Sequence, residues 1–330
     1  MQRDPRRNPG KVAEAIRAAR SIAVCCHVNP DGDAIGSSLS VKLGLVKLGK
    51  TVDAYCQDKV PDNLIFLPGA AEIMNAEQAA GKRYDLLLCV DTATADRMGR
   101  CMCLLDQCAE SAQLDHHPTN PGYTSINDID GNAGANCLLV YELLKELNVE
   151  TDVDIAQCLY AGISTDTGNF AYKDTGAESF AVMSELMQLG LPLQDLNRRL
   201  HRERPLPQLY LTVRTINSLK FRCNGQLAVM TLTDRDFKEC GALSEHADTM
   251  VNVGLDIPGV KMAVLGRETG EGTLKFSLRA LAPFTVDQIA VSFGGGGHGQ
   301  AAGITMTGEL NETVSKVASV MEEALNGMNL

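Results

Sequence analysis

The sequence predicts an α/β protein in two parts: an N-terminal doubly wound, mainly parallel sheet, joined by a linker to a smaller α+β domain. Three observations carry this reading. Short continuous apolar runs alternate with helical stretches through the first half, as buried parallel strands and their crossovers do. Polar clusters follow three of those runs at once, where ligands bind in open α/β sheets. Beyond the proline-interrupted region near residue 205 the texture changes to hairpin-like strands. The expected boundaries are 1–190, 191–215 for the linker and 216–330.

The elements follow in order. Ser21-Ile-Ala-Val-Cys-Cys26 has the length and apolarity of a strand, residues 34–48 have helical periodicity, Gly49 ends them, and Thr51-Val-Asp-Ala-Tyr-Cys56 reads as the next strand. That is a β-α-β unit. Asp85-Leu-Leu-Leu-Cys-Val90 is another apolar run, and Ser111-Ala-Gln-Leu114 resembles the tail of a third strand-end segment. Helices are expected over 135–147, 155–163 and 178–189. The pattern breaks at Leu191-Pro192 and at Arg204-Pro-Leu-Pro207, around a charged segment. Strands are then expected over 226–232, 260–265 and 273–281, the last two around a glycine-rich turn.

Composition bounds the function. A chain of 330 residues, 45% apolar, buries a sizeable core. No run of about 18 apolar residues exists to span a bilayer, and the opening Met1-Gln-Arg-Asp-Pro-Arg-Arg7 lacks the apolar segment of a signal peptide. No membrane association and a cytoplasmic location are expected. Of eleven cysteines, Cys25, Cys26, Cys89, Cys137 and Cys158 sit in apolar stretches as small buried hydrophobes. Cys101, Cys103 and Cys108 lack the spacing of a zinc ribbon or finger and read as part of an ordinary helix. The formal charge of −11, with no basic block after the first seven residues and no Trp, excludes a groove that tracks long nucleic acid. A mononucleotide or very short oligonucleotide needs only a few local cations.

The chemistry lies in five clusters: His27-Val-Asn-Pro-Asp31-Gly-Asp33, Asp91, Asp115-His116-His117, Asp166, and the run Gly294 to Gly297 with His298. Each has an ordinary alternative. Asp33 before a helix fits an N-cap, Asp91-Thr92 a turn and Asp166-Thr167-Gly168 a helix-end loop. Together they would place many acids at one sheet edge, a like-charge cluster that is costly without metal. His27 and Asp31 suit one cation, Asp33, His116 and Asp166 a second, and Asp91 a bridge between them. Two divalent ions ~3.5–4 Å apart clamp the attacking and leaving oxygens of a phosphoryl displacement. Carboxylate-rich ligation points to Mn²⁺ and leaves Mg²⁺, Fe²⁺ and Zn²⁺ open. Asp115 is placed to orient a histidine ring. His117, where it is not a ligand, would meet a substrate phosphate or leaving oxygen.

These residues match a known pattern. His27-x-x-x-Asp31-x-Asp33-Ala-Ile-Gly-Ser37, Asp91, Asp115-His116-His117-Pro118 and Thr165-Asp166-Thr167 resemble the successive motifs of the DHH phosphoesterase superfamily. Phe293-Gly-Gly-Gly-Gly-His298-Gly-Gln-Ala-Ala-Gly303 resembles the signature of its type 1 associated C-terminal domain. The match spans nearly the whole chain and is similar to the stand-alone nano-RNase and pAp phosphatase branch. The resemblance implies metal ligation by His27, Asp31, Asp33, Asp91, His116 and Asp166, with His117 at the substrate phosphate.

Glycines let backbone N–H groups approach an anion, so Gly295, Gly296 and Gly297 are expected to form a phosphate nest, with His298 donating to the same oxygens. In Leu274-Lys-Phe-Ser-Leu-Arg279 the apolar residues alternate with Lys275, Ser277 and Arg279. Lys275 reads as a solvated position. Arg279 reads as a terminal-phosphate ligand, on the resemblance and on its ability to fork onto phosphate oxygens. One departure is Ala171, where many relatives carry a basic residue. The expected activity is metal-dependent hydrolysis of very short RNAs and linear dinucleotides to 5'-mononucleotides, with release of the 3'-phosphate of pAp as a further activity. Alternatives are cyclic-dinucleotide hydrolysis and a non-catalytic nucleotide-binding regulator. The oligomeric state stays open, a homodimer included.

Overall fold

The computed structural model describes residues 4–270 and 272–328, apart from the side chains of His298 and Met328. Backbone contacts divide the chain into two units, 1–203 and 204–330. In the first, β1 (Ser21–Cys25), β2 (Thr51–Tyr55), β3 (Tyr84–Val90), β4 (Cys108–Asp115) and β5 (Ile126–Ile129) form one sheet in the order β2-β1-β3-β4-β5. Every pairing is parallel. The order reverses between β1 and β3, so the loops leaving these two strands diverge and open a crevice at their carboxyl ends.

Both faces of this sheet are covered, which is why its strands read as unbroken apolar runs. Ile22, Val24, Leu86, Leu88 and Val90 join one large core with helices Pro9–Ala18, Gly32–Lys47, Asn136–Glu146 and Val153–Asp166. The intervening Ala23, Cys25, Leu87 and Cys89 join a smaller core with Met98, Cys101 and Leu104. Helix Gly32–Lys47 is buried along nearly its whole length. It crosses Val153–Asp166 at Gly36 and Gly162, where an added Cβ would lie 2.4 Å from Cys158 O and 2.2 Å from Cys137 Sγ respectively. Only glycine permits that approach. The chain start is fastened to the same unit, because the buried Arg7 pairs with Asp128 at 2.7 Å and Asp130 at 2.9 Å, and also with Glu142.

The second unit holds β6 (Lys220–Arg222), β7 (Leu227–Leu232), β8 (Met262–Glu268), β9 (Thr273–Ala280), β10 (Gly296–His298) and β11 (Ala301–Thr307), in the order β10-β11-β9-β8-β7-β6. All pairings are antiparallel except β7 with β8. Leu274, Phe276 and Leu278 of β9 share one core with Val314, Val317, Met321 and Leu325 of helix Leu310–Met328. No helix among the described residues is long and apolar enough to cross a membrane.

Two local expectations are corrected. The stretch expected as a linker, 191–215, is mostly helical, with helices Leu193–Asn197 and Leu206–Ser218 joined through a π-helical turn Arg198–Arg202. Pro192 and Pro205 precede these helices as caps rather than break them, since proline's fixed φ suits a helix start. The region of Cys101, Cys103 and Cys108 is also not an ordinary helix: a 3-10 stretch Ala95–Cys103 and one turn Leu104–Gln107 lead into β4, which Cys108 opens. All eleven cysteines are free thiols.

Candidate active site

The first-unit clusters meet at the carboxyl ends of β1, β3 and β4. His27 lies two residues beyond β1, and its Nδ1 donates to Val28 O at 2.8 Å. A carbonyl can only accept, so the proton sits on Nδ1 and Nε2 is left as the ligand nitrogen. That Nε2 stands 3.4 Å from Asp91 Oδ2 and 3.7 Å from Asp31 Oδ2. His116 repeats the arrangement. Its Nδ1 donates to Ala133 O at 3.1 Å, and its Nε2 lies 3.3 Å from Asp91 Oδ1, 3.3 Å from Asp166 Oδ2 and 3.8 Å from Asp33 Oδ2. Asp91, directly after β3, therefore offers one oxygen to each histidine.

The ordinary alternative offered for Asp33, a helix N-cap, fails here. Asp31, not Asp33, caps helix Gly32–Lys47: its Oδ1 accepts from Asp33 N at 3.1 Å and Ala34 N at 3.0 Å, leaving Oδ2 toward His27. Asp33 lies inside the first turn. Its carboxylate accepts from Asn136 N at 2.5 Å and Cys137 N at 2.9 Å, the first amides of helix Asn136–Glu146, where the helix dipole favours an anion. Asp166 arrives as the last residue of helix Val153–Asp166, brought close by the Gly36 and Gly162 crossing.

Electrostatics record the crowding. Burial, then the neighbouring Asp91 and Asp166, raise the Asp33 carboxyl well above its ordinary range. Burial also raises Asp166, to about 6, with Asp91 and Asp31 adding to it against His116. Asp91 moves the other way: burial opposes its charge, but His116 and His27 hold it ionised. Burial likewise opposes protonation of His27, yet Asp31 and Asp91 push its pKa up to about 11. Without a cation, the site recruits protons to neutralise its acids.

The residues fit divalent metal. Three groups have ligand atoms within 4.8 Å of one another: His27, Asp31 and Asp91; Asp33, His116 and Asp166; and Asp91, His116 and His117. Asp91 Oδ1 is buried with no hydrogen-bond partner, a costly state for a carboxylate oxygen unless something positive meets it. No cysteine belongs to any of these groups among the described residues.

Asp115 ends β4 fully buried, and its Oδ1 accepts from His117 Nδ1 at 2.8 Å. Burial opposes charge on His117, and Asp115 raises its pKa nonetheless. Sequence reasoning missed two neighbours. Arg97 brings Nη2 to 3.4 Å from His27 Nδ1, adding positive charge at the edge of the acids. Asn120 donates to Asp115 Oδ2 at 2.6 Å; standing in His-His-Pro-Thr-Asn-Pro-Gly, it carries only a turn signal.

In the second unit, Arg279 on β9 pairs in register with Ala301 on β11, and Ala301 with His298 on β10. Arg279 is half-buried and its Nη1 donates to Leu278 O at 2.9 Å. The contact expected of the His298 side chain lies outside the described residues. The glycine nest is smaller than expected, because the amides of Gly294 and Gly295 close the preceding helix onto Val291 O and Ala290 O at 3.0 and 2.8 Å. Gly296 and Gly297 already belong to β10, and Lys275 is exposed as read.

A parallel sheet with acids and histidines at its carboxyl edge, followed by a mixed sheet with a glycine loop, defines a class. Residues 21–163 match the DHH family, N-terminal domain, and residues 224–326 match the DHHA1 domain. The chain belongs to the DHH family of metal-dependent phosphoesterases. Among its relatives, it is 32% identical over 318 residues to the bifunctional oligoribonuclease and PAP phosphatase NrnA of Thermus thermophilus, covering 95% of this chain and 93% of that one. It is 25% identical over 294 residues to the Bacillus subtilis protein of the same name, covering 85% and 87%. An exopolyphosphatase-related protein from Bacteroides fragilis has a solved structure similar to this one, with a TM-score of 0.88 at 26% identity over 97% and 95% of the two chains.

Proposed function

We propose that the protein hydrolyses RNAs of a few residues and linear dinucleotides to 5'-mononucleotides, and removes the 3'-phosphate of pAp, with Mn²⁺ as the supporting metal. The observation that carries this is Asp91, buried between the two histidine Nε2 atoms with no hydrogen bond to its Oδ1. The names of the relatives from Thermus thermophilus and Bacillus subtilis support the choice of substrates.

His27, Asp31 and Asp91 would hold one cation, and Asp33, His116, Asp166 and Asp91 a second. When bound, such cations neutralise charge on a phosphoryl group and acidify water. The chain's own groups do the rest. Both proposed reactions break a phosphorus to O3' bond, so one leaving oxygen serves RNA and pAp alike. His117, its Nδ1 proton held by Asp115, delivers a proton from Nε2 to that oxygen, and the Asp115 carboxylate stabilises the imidazolium. Arg279 and the backbone of Gly296 and Gly297, with His298, bind the terminal phosphate; the Gly295 amide, expected in the same nest, is already given to Ala290 O. Substrate selection thereby falls to the second domain.

Digestion of end-labelled RNAs from two to seven residues with Mn²⁺, beside pAp and cyclic di-AMP, tests this. Mononucleotide release from the shortest RNAs and adenosine 5'-phosphate from pAp are expected. Folded protein without Mn²⁺-stimulated hydrolysis of either would sink the reading, and turnover confined to cyclic di-AMP would replace it.

A further inference from the structure

Asn120 is buried beyond β4 and uses every polar atom it has. Its Nδ2 faces three acceptors: Asp115 Oδ2 at 2.6 Å, Gln113 Oε1 at 3.0 Å and Thr92 O at 3.2 Å. Two amide hydrogens serve the two shorter contacts first, and Thr92 shares them. Its Oδ1 accepts from Gly122 N at 2.8 Å, so the amide cannot flip without losing bonds at both ends. Gln113 is oriented in turn, because its Nε2 donates to Asn127 Oδ1, and Asn127 Nδ2 donates to Thr124 O at 3.0 Å. The backbone is fastened as well. Asn120 N donates to His117 O at 3.1 Å, and Asn120 O accepts from Arg6 Nη1 at 2.9 Å.

The consequence falls on His117. Its Nδ1 stands between two carboxylates, 2.8 Å from Asp115 Oδ1 and 3.7 Å from Asp91 Oδ1. With Oδ2 occupied by Asn120, Asp115 can present only Oδ1 to the ring. If Asp115 were free to turn, the ring would find its acceptor in Asp91 Oδ1, which accepts no hydrogen bond and faces His116 Nε2 at 3.3 Å. We infer that Asn120 is a positioning residue: by fixing Asp115 it keeps His117 on that carboxylate and off Asp91. The same donor group, through Thr92 O, ties the loop after β3 to the loop after β4.

The kinetic part of the test rests on the proposed hydrolytic activity; the spectroscopic part does not. Full-length protein with Asn120→Ala or the isosteric Asn120→Asp, which keeps the acceptor for Gly122 N and removes the donor, is assayed on dinucleotide RNA with Mn²⁺. Loss of about 10–100-fold in kcat is expected, the scale of losing a group that orients an active-site side chain, with KM little changed. In a His117→Ala background the same substitutions should cost less than about twofold, because Asn120 acts through that ring. Equal losses in both backgrounds, or wild-type kcat in Asn120→Ala, would overturn the inference. In metal-free, ¹⁵N-histidine-labelled wild type, His117 should show a bonded Nδ1–H resonance that Asn120→Asp removes. A wild-type His117 protonated only on Nε2 overturns the inference even if no variant folds. An inactive wild type would count against the proposed function alone, and the resonance would still decide the role of Asn120.

Discussion

The two sheets carry polar chemistry in opposite ways. In the parallel sheet both faces are covered, so functional groups appear only where strands end, and residues from His27 to Asp166 meet at one edge. In the β9–β11 pair one face stays partly open, so Arg279 is displayed on that face, within the strand ladder and one residue before β9 ends, and its register neighbours Ala301 and His298 lie within about twenty residues of it in sequence. The first arrangement needs the whole unit folded before any site exists. The second needs little more than two hairpins.

Substitutions should separate these regimes, and the largest effect belongs to the sheet edge. Asp91→Asn keeps a residue that tolerates the left-handed backbone there while removing the charge, and kcat should fall by at least about 10²–10³-fold, the scale of losing one preorganised electrostatic group. Steady-state kinetics beside a circular dichroism spectrum would check it; wild-type turnover would remove Asp91 from the centre of the site.

Next comes metal and proton linkage. Adding Mn²⁺ to chelator-treated protein at 100 times its Kd should stabilise the fold by about 2.7 kcal/mol, read as a rise in Tm, and should do so far less in Asp91→Asn. In the metal-free protein His27 has a folded pKa of about 11 against an ordinary 6.5. The folded state therefore holds the proton that the unfolded state releases, so this stabilisation is complete below pH 6.5 and is lost as pH rises toward 11. Tm of the metal-free protein should fall across that window, and a flat profile would contradict the pairing with Asp31 and Asp91.

Smaller effects belong to the second unit. Arg279→Ala should raise KM about tenfold, ~1.4 kcal/mol, with kcat retained. A fall in kcat at unchanged KM would move Arg279 out of phosphate binding. Gly297→Ala and Gly296→Ala divide structure from contact. At Gly297, φ is +154° and a new Cβ would sit 2.4 Å from Ala301 O, so the hairpin should lose about 1–3 kcal/mol. At Gly296 nothing lies within 4 Å, and Tm should hold. Any change there must come from substrate, and unchanged KM would exclude that amide from the anion site.

How much of this was legible depended on distance in sequence. Strand-end acids could be read because apolar runs such as 85–90 announce their own ends and Asp91 follows at once. The alternation in 274–279 placed Lys275 and Arg279 correctly away from the core. The capping role went to the wrong aspartate, since Asp31 and Asp33 both precede a helix and only the amides of Asn136 and Cys137, about a hundred residues away, decide between them. Prolines near 192 and 205 read as breaks because a helix start and a linker share that residue. The glycine run concealed that two of its amides complete a helix end. Asn120 stayed hidden for a similar reason: its acceptors Thr92, Gln113 and Asp115 converge only once β3 and β4 pair.

The backbone at Asp91 has one more consequence. With φ at +51°, the position tolerates glycine, asparagine and aspartate and resists nearly every other side chain on conformational grounds. Drift at this codon is therefore screened twice, first by whether the chain can turn and only afterward by whether the side chain carries charge. Of the residues that pass the first screen, aspartate alone supplies the anion. A gene that lost activity through this position would be expected to retain a folded protein most readily as asparagine or glycine, one nucleotide change away from the original.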